Sequence, residues 1–304
     1  MIKKISDLNE ITKIKETDIL PVVDMANGET KKAAFSNLLN AIIPKNAGAH
    51  NGIYRGKDIT DLFYDGTLTK QIAAGTFDDI YIGDYIIGKV SGRKYLVADI
   101  NYRLNCGDTQ CTKPHVLMIP ERSMGTAQMN STNITTGAYV GSEMYTTHLA
   151  TYKDIIKNDF ETGHILTHRT YLPNAVTNGY ESAGAWVNSD IELMNELMVY
   201  GSNIFHNVIN GTNLPINHTI DKAQLSLFKL DKSKIVALND AGGRVSWWLR
   251  DVVSSASFAT VYHFRHCLHL QRLRLDWCSP RFPNLLIGHR QGFMPCHVMQ
   301  LSQT

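Results

Sequence analysis

No apolar run in this chain of 304 residues approaches the ~18 residues that cross a bilayer, and no segment of 20–50 residues repeats. Short strand-like and helix-like runs instead alternate irregularly between turns, in a chain with 22 glycines. That pattern excludes membrane bundles, solenoids and propellers. It lacks the regular strand–helix–strand period of a doubly wound sheet, so the expected class is α+β, mixed and mainly antiparallel. With 43% hydrophobic and 19% charged residues, a sizeable core is affordable.

Residues 1–44 read as a separate unit. Asp18 to Asp24 reads as a strand around Pro21, Ala26-Asn27-Gly28 as a turn, and Ala33 to Ile43 as an amphipathic helix with Ser36 at its cap. So little apolar content is marginal alone, which predicts attachment to a partner or a copy of itself. Residues 45–48 form a linker, and the main body starts near Ala49. Within it, residues 58–73 are expected to be helical and Asp79–Gly88 a strand. A second strand runs through Tyr95, Val97 and Ile100, and residues 115–120 are a third. Residues 121–145 read as a long surface loop, His148 to Phe160 as a helix and His164 to Leu172 as a strand. Ile191 to Met198 marks a short helix, and Leu225–Leu230 and Val245–Leu249 late strands.

Thirty basic residues face 28 acidic ones, a net charge of +2 that gives no electrostatic case for nucleic acid or an anionic membrane. The N-terminus has no apolar core behind its lysines and is not read as a secretory signal, so synthesis in a cytoplasm is expected.

Several residue groups invite chemistry. Trp247, Trp248 and Arg250 suit a recognition platform, although alternation in a strand puts at least one tryptophan in the core. Ser254, Ser255, Ser257, Thr260, Tyr262 and His263 follow as short polar and aromatic positions suited to adaptable contacts or to an ordinary surface hairpin. Met118, Met124, Met129 and Met144 with Tyr139 and Tyr145 form either a pliable contact surface or packing beneath a loop, the second being favoured. Cys106 and Cys111 are read as two free thiols, with a disulfide or half a metal site as alternatives. His263, His266, Cys267, His269, Cys278, Cys296 and His297 are zinc-ligand types, but chance composition is favoured and no metal or cofactor is assigned. His164 and His168 would share one strand face as structural histidines. Asp58, Asp61, Asp65, Asp78, Asp79 and Asp84 suggest a glycosidase pair, yet sit at turns and element ends. No nucleophile elbow, P-loop, zincin or dinucleotide motif is present, so the expectation is a protein that is not an enzyme.

The order of motifs carries a resemblance. ISDL (5–8), DILPVVD (18–24) and GETKK (28–32) resemble the start of many phage tail-fibre and baseplate-associated proteins. GIYRGKDIT (52–60), FDDIYIGDY (77–85), HVLMIPERSMGTAQMN (115–130), AYVGSEMYTTHL (138–149), HILTHRTYLPNAV (164–176) and ELMNELMVYGSNIF (192–205) resemble minor structural proteins of phages of Gram-positive bacteria. WWLRDVVSSASFATVYHF (247–264) is similar to that group's closing motif. The resemblance implies a virion tail component that mediates attachment to the host cell surface, binding a glycan or protein there. It implies an adhesion domain over residues 49–264, similar to C-type-lectin-like tail domains, and a homotrimer attached to other tail or baseplate proteins through residues 1–44. It supplies no catalytic residues. Neither nucleic-acid binding nor membrane insertion is expected. A structural tail or baseplate subunit and, behind it, a tail-associated cell-wall glycan hydrolase are the alternatives.

The resemblance stops at Phe264. Residues 265–304 contain no lysine, one acid, five arginines, four histidines and three cysteines. Trp277 to Phe282 can be back-translated as TGG TGT TCG CCC CGC TTT, which one base later reads G-V-R-P-A-F, the ending expected of the group. Residues 265–304 are therefore read as a frame-shifted extension that deprives the core of its natural last strand and replaces it imperfectly. The gene sequence near codon 277 decides this: a shifted frame that does not encode G-V-R-P excludes it.

Overall fold

The computed structural model describes residues 15, 17–42, 46–205, 223–262, 291–293 and 295–299. Near the N-terminus, β1 (Ile19–Asp24) and β2 (Glu29–Ala34) form an antiparallel hairpin, followed by α1 (Phe35–Ile42). The predicted helix thus starts two residues late, because Ala33 and Ala34 pair with Leu20 and Ile19. Ile19, Val23, Met25 and Ile42 of this unit are exposed.

The body begins with α2 (Ala47–His50), α3 (Thr60–Tyr64) and α4 (Thr67–Ala74). One helix was expected over 58–73. Gly66 divides it by adopting a left-handed φ of 79°, a conformation glycine takes without penalty. Then come β3 (Tyr85–Ile87), β4 (Lys94–Ile100), β5 (Val116–Pro120) and β6 (Thr126–Ala127), a π-turn over Met144–His148, and α5 (Leu149–Phe160). Asp79 to Asp84 is turn rather than strand because Asp84 is occupied otherwise. Its buried carboxylate accepts from Arg55, from Lys57 N and from Tyr81 N.

The second half holds β7 (His168–Thr177), β8 (Tyr180–Ser189), β9 (Ile191–Leu193), α6 (Glu196–Tyr200), α7 (Ser226–Leu230), β10 (Ala237–Leu238), β11 (Arg244–Val245), β12 (Trp247–Ser254) and β13 (Ser257–Val261). Two further strands, β14 (Gln291–Phe293) and β15 (Pro295–Met299), follow. The expected strand over Leu225–Leu230 is a helix. The buried carboxylate of Asp99 accepts from both the amide and the hydroxyl of Ser226, satisfying donors that a helix start leaves open. The expected strand over 164–172 starts at His168, and His164 lies in a separate 3-10 turn with Nδ1 on the Phe160 carbonyl. These two histidines therefore share no strand face. The helix expected over Ile191 to Met198 is β9 followed by α6.

The class is α+β. A five-stranded antiparallel sheet has the order β3-β4-β5-β15-β9, and a four-stranded sheet the order β13-β12-β14-β6. In the second sheet only β12 and β14 run parallel. The segment read as an imperfect, frame-shifted replacement for the last strand thus supplies one strand to each sheet. β15 lies between β5 and β9, pairing His297 with both Met118 and Ile191. Without it β5 and β9 would each expose an unpaired edge, so the body does not end at Phe264. Pro295 stands at the first position of its strand, where a missing amide is tolerated.

The expected surface loop over 121–145 is irregular apart from β6 and the start of the π-turn, with residues 131–134 exposed, but it sends several apolar side chains inward. Met124, Met129, Ala138, Tyr139 and Met144 are all buried in the core cluster, with Met118. The favoured packing role of the methionines is what is found.

Charged groups inside the core are met by specific partners. Glu192 on β9 is buried, where desolvation alone would raise its pKa. The Arg103 and Arg250 guanidiniums and the neighbouring His168 instead hold it well below the usual carboxylate range. Asp159 on α5 accepts from Val90 N, Ser91 N, the Ser91 hydroxyl and the Tyr95 hydroxyl, fixing the turn after β3. A Cβ at Gly88 would lie 2.4 Å from the Asp159 carboxyl carbon. Gly88→Ala is therefore expected to destabilise the body by about 1–3 kcal/mol in urea denaturation; an unchanged midpoint would show that the turn can yield.

His115 is buried and neutral, its pKa pushed down to about 4 by burial. Its Nε2 accepts from the Arg103 amide, and its Nδ1 donates to the Lys113 carbonyl. The unfolded imidazole takes a proton near pH 6.5, so the unfolded state binds more protons between that pH and about 4. The His115 contribution is complete above pH 6.5 and is lost as pH falls through this window, about 2 kcal/mol from pH 7 to pH 5. Urea denaturation at the two pH values should show this loss reduced in His115→Gln; an identical pH dependence in the variant would contradict it.

Candidate functional site

The β12–β13 hairpin and residues 128–134 enclose an open pocket of about 180 Å³. β12 is buried continuously from Trp247 to Val252, so its exposed functional end is short. The ladder slips between Trp248 and Val252 and again between Val252 and Ser254. Such bulges bend a hairpin and re-aim its side chains, and here the pocket opens beside them.

Hydrogen bonds fix both walls. The Trp248 indole donates to the Ala127 carbonyl at 2.9 Å. Thr135 donates its amide to Ser255 O at 3.2 Å and its hydroxyl to Ser254 O at 2.9 Å, tying the loop to the hairpin tip. Asn130 donates to Ile134 O at 2.7 Å and accepts from Glu143 N at 2.9 Å, closing the loop on itself. Ser131 donates to the Glu143 carboxylate. Glu181 of β8 supports the hairpin from behind by accepting from Val252 N.

The lining has two characters. Gln128, Asn130, Thr132, Asn133, Ser254, Ser257 and Thr260 bring amides and hydroxyls, while Met129, Ile134, Trp248, Val253, Ala256 and Phe258 bring apolar surface. None of these side chains ionises near neutral pH. The pocket is smaller than the about 300–1,000 Å³ typical of sites that enclose drug-sized ligands, so it suits one ring or a chain end. Chemically it can offer paired donors and acceptors over an apolar wall.

Of the residues singled out from sequence, Met129, Trp248, Ser254, Ser257 and Thr260 meet in this pocket. Ser255 is exposed at the hairpin tip just outside it, and Tyr262 lies half-buried beyond the end of β13. Arg250 corrects an expectation. It is buried, donating to Glu192 at 3.2 Å and to Leu193 O at 3.3 Å, so it is a core cation and offers no ligand contact. Strand alternation suggested an exposed face, but both faces of β12 are covered along that stretch. Both tryptophans are buried for the same reason; Trp247 donates its indole N–H to Ile235 O. His263, His266, Cys267, His269 and Cys278 lie outside the described residues.

The remaining candidates are structural. Asp58 caps Thr60, Asp65 caps Thr67, Asp79 bonds Gln71 and Asp84 is committed to Arg55. Cys106 and Cys111 form no disulfide and are closed into one loop by the Cys111 amide on Cys106 O at 3.0 Å. Burial pushes the Cys111 thiol up, which lowers its reactivity. No group of three or more metal-ligand side chains is assembled among the described residues, and no helix among them is long and apolar enough to cross a membrane.

Sequence reasoning missed the amide-rich wall Gln128 to Ile134. The signal was present as Gln-Met-Asn-Ser-Thr-Asn, adjacent polar residues flanking a single apolar one. Comparison with protein-family models, curated proteins and solved structures gives no match to this chain.

Proposed function

We propose that the chain is a tail protein of a phage or prophage that attaches the virion to its host cell surface. The pocket between residues 128–134 and the β12–β13 hairpin is its contact site. The observation that carries the reading is the lining: amides, hydroxyls and apolar groups, held by backbone hydrogen bonds, with no ionisable side chain among the described residues. Such a surface recognises an uncharged, hydroxyl-rich ligand such as a sugar residue, because each hydroxyl finds a fixed partner and the ring carbons find an apolar wall. It has no acid–base pair of its own, which favours binding over hydrolysis. The sequence resemblance supplies the tail assignment. The exposed Ile19, Val23, Met25 and Ile42 of the N-terminal unit support a role for residues 1–44 in joining sister subunits, as a homotrimer, or other tail proteins.

Attachment of the labelled full chain to intact cells of the bacterium that carries the gene tests this. Saturable binding is expected, with Asn133→Ala and Ser257→Trp each weakening it at least about tenfold, the effect of losing about 1.4 kcal/mol. Their melting temperatures should stay close to that of the parent chain. No attachment, with the protein still found in purified virions, would point to a structural subunit. Sugar release from purified cell walls would point to a hydrolase.

A further inference from the structure

A second site lies apart from this pocket, where β5 ends. Pro120, Glu121 and Arg122 form a ridge between two open clefts of about 480 and 440 Å³. The ridge is held in place. Glu121 N donates to Lys94 O and Ser123 N to Leu238 O, both at 2.8 Å. Arg122 Nη1 donates to the Asn239 and Asp240 carbonyls at 3.1 and 2.9 Å. Five cations line the two clefts, Arg93, Lys94, Arg122, Lys234 and Arg244, against two carboxylates, Glu121 and Asp240. The excess of three in this one region is larger than the net +2 of the whole chain. The two carboxylates are already engaged. Asp240 takes a two-point contact from Arg93 at 3.1 and 2.9 Å, and Glu121 lies 3.5 Å from Lys94. Arg122, Lys234 and Arg244 then converge on the second cleft, whose floor includes the apolar Leu96, Ile119 and Val236.

We propose that these joined clefts bind an anionic polymer built of sugar or polyol units, with its phosphate or carboxylate groups on Arg122, Lys234 and Arg244. Several cations spread along two clefts fit a chain of charges better than one small anion. The apolar floor fits the carbon skeleton between the charges. Single-stranded nucleic acid is disfavoured because, among the described residues, no aromatic side chain lines either cleft, and base stacking is what holds such strands. That the polymer belongs to a host surface rests on the adhesion reading; the binding itself does not, and it is measured on purified polymers without cells.

The test uses the full chain in titration calorimetry against poly(glycerol phosphate), polygalacturonate, uncharged dextran and a deoxythymidine 20-mer. One of the two anionic polymers is expected to bind, and which one distinguishes phosphate from carboxylate. The logarithm of affinity should fall linearly with that of salt concentration. Lys234→Gln combined with Arg244→Gln should weaken binding at least about tenfold and flatten the salt slope by roughly the two charges removed. Both side chains sit at the surface, so the melting temperature of the double variant should hold. Binding of neither anionic polymer, equal binding of dextran, tighter binding of the oligonucleotide, or an unchanged affinity in the double variant would each overturn the proposal.

Discussion

The structure depends on one buried carboxylate, Glu192. It sits on the edge strand β9 of the five-stranded sheet, and Arg250, which reaches it, belongs to β12 of the four-stranded sheet. Arg103 arrives from the segment after β4, and His168 and Ser189 from the β7–β8 hairpin. Next to it the Tyr139 hydroxyl accepts from Leu193 N, which anchors the long connection before α5. Four parts of the fold therefore meet at one ion cluster. Removing a single member of such a cluster leaves a charge stranded in the core, at a cost of about 3–5 kcal/mol, whereas exchanging the whole set for apolar residues can be neutral. The cluster thus acts chiefly on specificity, by setting which strand faces which.

The same device recurs on a smaller scale. Asp84, Asp99, Asp159 and Glu196 are buried carboxylates, each collecting amides or hydroxyls from a neighbouring loop. Irregular connections held in this way behave as fixed walls; the pocket wall 128–134 is held by backbone and side-chain bonds of Asn130, Thr135 and Glu143 instead of by a buried carboxylate. A pocket that is already ordered loses little conformational freedom when a ligand enters. The two candidate sites divide the chemistry between them: one is free of ionisable groups, the other concentrates positive charge.

Legibility in the sequence followed the range of the interactions. Strands that are short, mostly apolar runs buried on both faces, such as Lys94–Ile100 and Val116–Pro120, and the amphipathic helix Leu149–Phe160 were readable. The β7–β8 hairpin carried an Asn178-Gly179 turn signal, both residues at positive φ, that was passed over. Leu225–Leu230 was misread because the carboxylate that starts its helix, Asp99, is distant in sequence. Arg250 was misread because its partner, Glu192, lies on another sheet. The second charged site was hidden by a net charge near zero, since that sum erases the separation of charges over the surface. Of the first site the hairpin wall, Trp248, Ser254, Ser257 and Thr260, was anticipated, and of the opposing wall only Met129, because that wall is brought in by a connection whose path no local pattern shows.

Hydroxyl-radical footprinting of the full chain, free and bound to host cells, reads the contact surface without choosing a ligand in advance. The pocket reading predicts protection of the exposed Ile134 and the half-buried Val253, with little change on the outer face of the β7–β8 hairpin, including Tyr180. Protection confined to Tyr180 and its neighbours, with Ile134 and Val253 as reactive as in the free chain, would contradict it.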